Sequence, residues 1–177
     1  MNELKITLPP EKALVLAGTG HRPEKLGGYS PEVFQRLVEY TKEVIRFCQP
    51  MSIISGMAIG FDMALAQASV DLGIPLVAAV PFKGQESRWR PEQKDLYHTL
   101  LSKAEHVEIV CNGGYSGWKF IQRDRWMVDH AEAMIALWNG ECNGGTWQTI
   151  KYAESVERPV YNIWSGWKFL NDEKNLT

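Results

Sequence analysis

Cysteine is scarce and poorly placed for chemistry: Cys48, Cys111 and Cys142 are odd in number, widely spaced and form no CxxC pair. No histidine stands at zinc-ligand spacing from them, which argues against a disulfide scaffold and a structural zinc site. Positive charge is also in short supply. Nineteen Lys and Arg face 21 Asp and Glu, for a formal net charge of −2, without the basic excess that binding a phosphate backbone usually draws on. Nucleic acid is therefore disfavoured as a partner, although Arg22, Lys25, Arg88, Arg90, Arg123 and Arg125 near turn-like segments leave room for a local basic pocket. No run approaches the roughly 18 apolar residues of a membrane span. Met1 to Pro10 lacks the apolar centre and cleavage site of a signal peptide. A reducing, cytoplasmic setting is expected, with no membrane partner.

What is present is ordinary globular material, 177 residues with 45% hydrophobic and 23% charged, enough for one core and too little for a clear second. A single domain over 1–177 is expected, with its core over about 12–164 and a polar tail over 168–177 that frays.

Apolar periodicity places alternating elements along the chain. The run Ala13-Leu14-Val15-Leu16-Ala17 ending in Gly18 reads as a strand buried on both faces. Helical spacing of Val33, Leu37, Val38, Thr41, Val44 and Ile45, with Ser30 as cap before Pro31, predicts a helix over 31–48. The alternation continues with strands over 52–54, 75–80, 106–110, 134–138 and 159–163. Between them lie helices over 58–72, from Pro91, over 118–130 and over 146–156. The fold class is α/β: a Rossmann-like, mostly parallel sheet flanked by helices on both faces. Pro159 opens its strand, which suits a sheet edge.

In such a sheet ligands bind beyond the carboxyl ends of the strands, so residues following strands carry the chemistry. Gly18-Thr19-Gly20-His21-Arg22-Pro23 combines two glycines with a hydroxyl, an imidazole and a fixed positive charge, the makings of a phosphate cradle. It lacks the third glycine of a dinucleotide fingerprint, and a tight turn with a surface arginine is the plainer account. Ser55-Gly56-Met57-Ala58-Ile59-Gly60-Phe61-Asp62 offers a helix start for an anion and Asp62 for ribose hydroxyls; a helix-start carboxylate and a packing glycine fit equally well. After the fifth strand, Asn139, Glu141, Gly144, Gly145 and Thr146 supply exposed amides and a hydroxyl that either caps the helix or meets phosphate. Arg123 is favoured over Arg125 for the pocket. Trp89 and Trp147 suit packing better than base stacking, and the remaining histidines show no metal spacing.

These segments, together with Arg123-Asp124-Arg125-Trp126-Met127-Val128-Asp129 and with Tyr152-Ala153 after Gly144-Gly145-Thr146, resemble the YpsA-like branch of the SLOG superfamily, named for the Smf/DprA and Lonely Guy proteins. The resemblance runs from about Ala13 to Ile163. It implies a Rossmann-like domain that binds nucleotide-derived ligands and self-associates. Lonely Guy enzymes cleave the N-glycosidic bond of nucleoside monophosphates with an arginine, matched here by Arg123, and a glutamate three residues after a threonine. Thr149 stands in that glutamate's place, so the carboxylate that would stabilise a ribosyl cation is missing unless Asp62 or Glu141 supplies it.

The resemblance thus implies a small-molecule nucleotide or nucleotide-sugar ligand, an ADP-ribose derivative or cyclic relative, bound for sensing or sequestration as in bacterial and phage immune signalling. Phosphoribohydrolase activity and a protein-interaction module with a vestigial pocket are the alternatives. The candidate ligand residues are Gly18, Thr19, Gly20, His21, Arg22, Ser55, Gly56, Met57, Gly60, Asp62, Arg123, Asn139, Gly144, Gly145, Thr146 and Thr149. No metal or cofactor is called for. The aromatic segment 164–169 suggests a homodimer or larger assembly, and core packing accounts for it equally.

Overall fold

A computed structural model describes residues 14–172. The chain runs β1 (Val15–Gly20), one turn of 3-10 helix (Pro23–Lys25), α1 (Pro31–Cys48), β2 (Ser52–Ser55), α2 (Phe61–Asp71) and β3 (Leu76–Val80). It continues through α3 (Pro91–Lys103), β4 (His106–Ile109), α4 (Gly117–His130), β5 (Ala133–Leu137), α5 (Gly144–Ser155), β6 (Val160–Asn162) and α6 (Trp164–Asp172). The start expected at Lys12 and the last tail residues, 173–177, lie outside the described residues.

Local chemistry sets the elements. In α1 the Ser30 hydroxyl accepts from Val33 N–H at 3.3 Å, Pro31 opens the helix, and left-handed Gln49 closes it. Its apolar stripe is buried and the opposite face carries charge, as the periodicity requires. Helix α2 instead buries nearly every side, because Ala64, Ala66 and Ala68 keep it thin enough to lie between the sheet and α1.

The six strands form one sheet in the order β4-β3-β2-β1-β5-β6, parallel throughout. Leu16 pairs with Ile53 and Ala133, and Ala17 with Ile54 and Met134, so side chains alternate strictly between two faces. Leu16, Ile53 and Leu76 pack with α1, α2 and α3, and α6 adds Trp167 on the same side. Ala17, Ile54 and Met134 pack beneath α4 and α5 through Met127, Val128 and Ala153. From β1 the chain steps outward to β4 and then returns past β1 to β5. With right-handed crossovers the covering helices change face at that return. The strand order therefore switches between β1 and β5, where a crevice opens at the carboxyl ends. Strand β6 is an edge, as Pro159 implied.

Three expectations need correction. Gly18 and Gly20 are not loop residues but belong to β1. A Cβ on Gly18 would lie 2.2 Å from Leu65 Cδ2, and one on Gly20 2.6 Å from Phe61 Cβ, so these glycines exist to let α2 lie close against the strand. Thr146 does not cap α5, which begins two residues earlier at Gly144 after an N-cap Asn143 that makes no side-chain cap bond. The segment expected to fray beyond Trp167 is helical to Asp172. Trp167 is buried against Tyr40 with ring centroids 5.9 Å apart, and Tyr40 O–H donates to Ile163 C=O at 2.6 Å. That packing accounts for much of the aromatic segment within one chain; Phe169 and Leu170 stay exposed. Among the described residues no helix is long and apolar enough to cross a membrane.

Candidate functional site

A cavity of about 480 Å³ lies at the carboxyl ends of β1 and β5, at the switch in strand order. Strand β1 and the turn after it contribute Thr19, Gly20, His21 and Arg22. The approach to α2 and its first turn add Ala58, Ile59 and Asp62, and α4 adds Phe120, Arg123 and Asp124. The opposite side is the start of α5, Gly144, Gly145 and Thr146. The uncapped first turn of α5, with its partial positive charge, thus faces a space that also holds a guanidinium.

Burial gives these groups their electrostatic character. His21, Asp62 and Arg123 are 6%, 8% and 4% exposed, so each has lost most of its water. Arg123 donates from Nη1 to Gly56 C=O and from Nε to Asp124 Oδ1 at 2.7 Å, which fixes its plane. Burial pushes the Asp62 carboxyl up to about 6, against the pull of Arg123 and with a further upward push from Asp124. Burial likewise lowers the His21 imidazole, partly offset by its hydrogen bond to Asn139. His21 Nε2 lies 2.8 Å from Asn139 Oδ1, a bond that ties the end of β1 to the end of β5.

The remaining predicted residues stand behind or beside the cavity. Ser55 is fully buried; its hydroxyl donates to Asp62 C=O at 2.7 Å and accepts from Met57 N–H at 3.1 Å. It shapes the turn that presents Asp62 and has no free valence for an anion. Gly56 is the floor under Arg123 and Asp62: a Cβ there would sit 2.5 Å from Arg123 Nη1 and 2.7 Å from Asp62 Oδ2. Met57 holds a left-handed φ of 57° with its side chain buried in the core. Gly60 locks the loop 21–23 onto the start of α2. Gly18 lies below, in the strand. Asn139 acts through His21, while Glu141 is exposed and ion-paired with Lys25, which holds its carboxyl below the usual range. Thr149 donates to Gly145 C=O at 2.9 Å, one turn back along α5, and lies outside the cavity lining. Arg125 sits over the Tyr152 ring at 5.1 Å, also outside it.

Asp124 and Phe120 belong to the lining without having been singled out in the sequence. Their signal was the helical period of α4, which puts Phe120, Arg123 and Asp124 on one face at spacings of three and four. Among the described residues no group of three His, Cys, Asp or Glu side chains is placed to hold a metal ion.

The Asp62 carboxyl makes stability depend on pH. Between about pH 4 and pH 6 the folded chain keeps a proton that the unfolded chain releases, so stability falls as pH rises through that window and is level above it. Asp62→Asn is expected to remove the slope. The variant should equal the wild type near pH 4 and exceed it by roughly 2–3 kcal/mol above pH 6. Urea midpoints at several pH values measure this, and parallel profiles for the two proteins would refute it.

Fold and cavity together define a Rossmann-like α/β domain with a polar, arginine-bearing crevice at its strand-order switch. Over residues 16–165 the chain matches the YspA SLOG family, and it belongs to that family, as its motifs implied. A UPF0398 protein of Bacillus pumilus is 27% identical over 166 residues, covering 84% of this chain and 87% of the relative. The SPbeta prophage-derived protein YoqJ of Bacillus subtilis is 28% identical over 137 residues, covering 68% of this chain and 80% of its own. Among solved structures, DNA processing protein A of Streptococcus pneumoniae shares the fold with a TM-score of 0.63 at 19% identity, covering 90% of this chain. That of Helicobacter pylori, described for its single-stranded DNA binding mode, gives 0.60 at 15%, covering 85%. The present chain spans only 56% and 65% of those two proteins. The likeness gives no support to the expectation, drawn from charge balance, that nucleic acid is disfavoured as a partner.

Proposed function

We propose that the crevice binds a nucleotide or nucleotide-sugar, an ADP-ribose derivative or cyclic relative, for sensing or sequestration. The observation that carries this reading is that buried Arg123 and the uncapped start of α5 line one cavity together with the Asp62 carboxyl. An anionic oxygen meets the guanidinium and the Gly145 and Thr146 amides, while Asp62 accepts from sugar hydroxyls. A prophage-derived relative keeps a role in signalling between phage and host within the proposal. Self-association belongs to it as well, resting on exposed Phe169 and Leu170.

Calorimetry against ADP-ribose, cyclic nucleotides, nucleoside monophosphates and a short single-stranded oligonucleotide tests the reading. The oligonucleotide is included because of the binding mode described for the H. pylori protein. Binding of at least one sugar-phosphate member is expected; heat from none, or from the oligonucleotide alone, would reject it.

Asp62 supports a second reading, N-glycosidic cleavage. Of the three carboxyls that line the cavity, Asp124 is held by Arg123 and Glu24 by Tyr29, which leaves buried Asp62, while outside the lining Glu141 is engaged by Lys25 and Thr149 by Gly145. An ionised carboxylate beside the sugar would stabilise a ribosyl cation. Chromatography of a nucleoside monophosphate after long incubation with excess protein decides it: free base supports cleavage, and intact substrate leaves binding alone.

A further inference from the structure

A second cavity, of about 250 Å³, lies on the other side of the 3-10 turn Pro23–Lys25, and its character is the opposite of the first. Its walls include Leu26, Val33, Leu37, Ile59, Met63 and Leu96, drawn from the turn, α1, the approach to α2, α2 itself and α3. Polar groups occur at Glu92 and Gln93 in the first turn of α3 and at Tyr29.

The two cavities are neighbours for a reason found in the turn itself. A 3-10 helix has three residues per turn, so residues three apart share a face. Pro23 and Leu26 line the apolar cavity, and Arg22 and Lys25 line the polar one. Ile59 lines both, so a ligand of two parts can occupy the two spaces around that side chain.

We infer that the apolar cavity holds the heterocyclic base of the ligand whose sugar-phosphate lies in the polar cavity; this rests on that reading of the polar cavity. An apolar cavity of about 150 Å³ stays dry and takes up benzene. One of about 250 Å³ has room for a fused two-ring system. A base needs apolar contact for its faces and polar partners for its edge, and the cavity has both. Gln93 Oε1 accepts from Arg90 N–H at 3.1 Å, leaving its Nε2 without a hydrogen bond among the described residues, and the exposed Glu92 carboxylate can accept from a ring amine.

Tyr29 stands at the cavity with the Arg90 guanidinium 5.7 Å from its ring centroid, and its O–H donates to Glu24 at 2.5 Å. Gly27 and Gly28 before it both hold φ of 106°, and a Cβ on Gly28 would meet nothing within 4 Å. A flat side chain is thus carried on a short glycine segment beside the cavity, in position to cover one face of a bound ring.

Methyl-detected NMR on the full chain tests the assignment with three probes: adenosine monophosphate, ribose 5-phosphate and free adenine. The nucleotide and free adenine are expected to shift the Leu96, Val33 and Met63 methyls. Ribose 5-phosphate should shift Thr146 and leave those three still. Leu96→Phe, which fills the cavity without touching the polar one, should weaken adenosine monophosphate about tenfold and ribose 5-phosphate not at all. If the nucleotide moves Thr146 but not Leu96 or Met63, the base lies elsewhere and this inference falls while the proposed function stands. If free adenine moves Leu96 and Met63 but neither phosphate ester moves Thr146, the polar-cavity reading falls and the base site stands. Silence from all three probes overturns the base assignment, while the polar-cavity reading is decided by the calorimetric panel that includes ADP-ribose.

Discussion

Gly60→Ala is expected to cost roughly 3–5 kcal/mol of stability, combining backbone strain with a core overlap that has nowhere to relax. Gly60 has φ 108° and ψ −130°, a conformation essentially confined to glycine. The added Cβ would also lie 2.6 Å from His21 O and 2.9 Å from Arg22 Cα. Both are backbone atoms, so no rotamer change removes the clash. The same contact ties Phe61 N–H to His21 C=O at 3.2 Å, joining the loop that carries His21 and Arg22 to the start of α2. Separating them would loosen both sides of the partition between the two cavities. For a domain of this size the melting temperature should fall by roughly 10 °C or more. Gly18→Ala provides the contrast: its Cβ meets side-chain atoms only, Leu65 Cδ2 at 2.2 Å and Phe61 Cε1 at 3.2 Å, and its backbone is not in the left-handed region, so a loss of about 1–3 kcal/mol is expected there. Thermal denaturation of the two variants in parallel gives the comparison, and a Gly60→Ala protein as stable as the Gly18→Ala one would contradict the geometry.

The central strands were legible in the sequence because burial on both faces leaves an unbroken apolar run, as in Ala133–Leu137, and α1 because its stripe and cap are both local signals. Elements whose signal is not local were misjudged. The glycines of β1 read as a loop because nothing nearby in sequence announces that Phe61 and Leu65 will press on them from α2. Helix α6 was hidden because its buried side amounts to Trp167 and its partner, Tyr40, lies far away in α1. The site was legible in outline: His21, Asp62, Arg123 and Thr146 do share a cavity. The motif residues Ser55, Gly56 and Met57 instead form the turn behind it, since a hydroxyl bonded to Asp62 C=O and a glycine pressed on a guanidinium look the same in sequence as ligand contacts. The apolar cavity left no motif, because its walls come from elements far apart in the chain.

Arg123→Ala should have the largest effect on binding, about a hundredfold loss for any phosphate-bearing ligand that the wild type binds, as expected when a buried charge-assisted contact worth roughly 3 kcal/mol is removed. The guanidinium is 4% exposed and is the cation that most lowers the Asp62 carboxyl. Without it Gly56 C=O and Asp124 lose their partner, and the carboxyl rises above its present value of about 6. The stability slope described for Asp62 should then extend to higher pH, and the folded state should weaken because the nearby carboxylates keep their burial without the cation. Arg123→Lys separates these effects. A lysine restores positive charge near Asp62, returning the pH profile towards the wild type, but its single ammonium cannot reproduce the planar fork that spans Gly56 C=O and Asp124 and, in the proposed complex, an anion as well. Affinity in that variant should remain at least tenfold below the wild type while stability largely recovers. Calorimetry on variants shown to be folded by circular dichroism, with denaturation profiles across pH, reads both quantities. If Arg123→Ala binds within threefold of the wild type, the guanidinium holds the turn at Gly56 and no anion, and the ligand's charge must be met elsewhere.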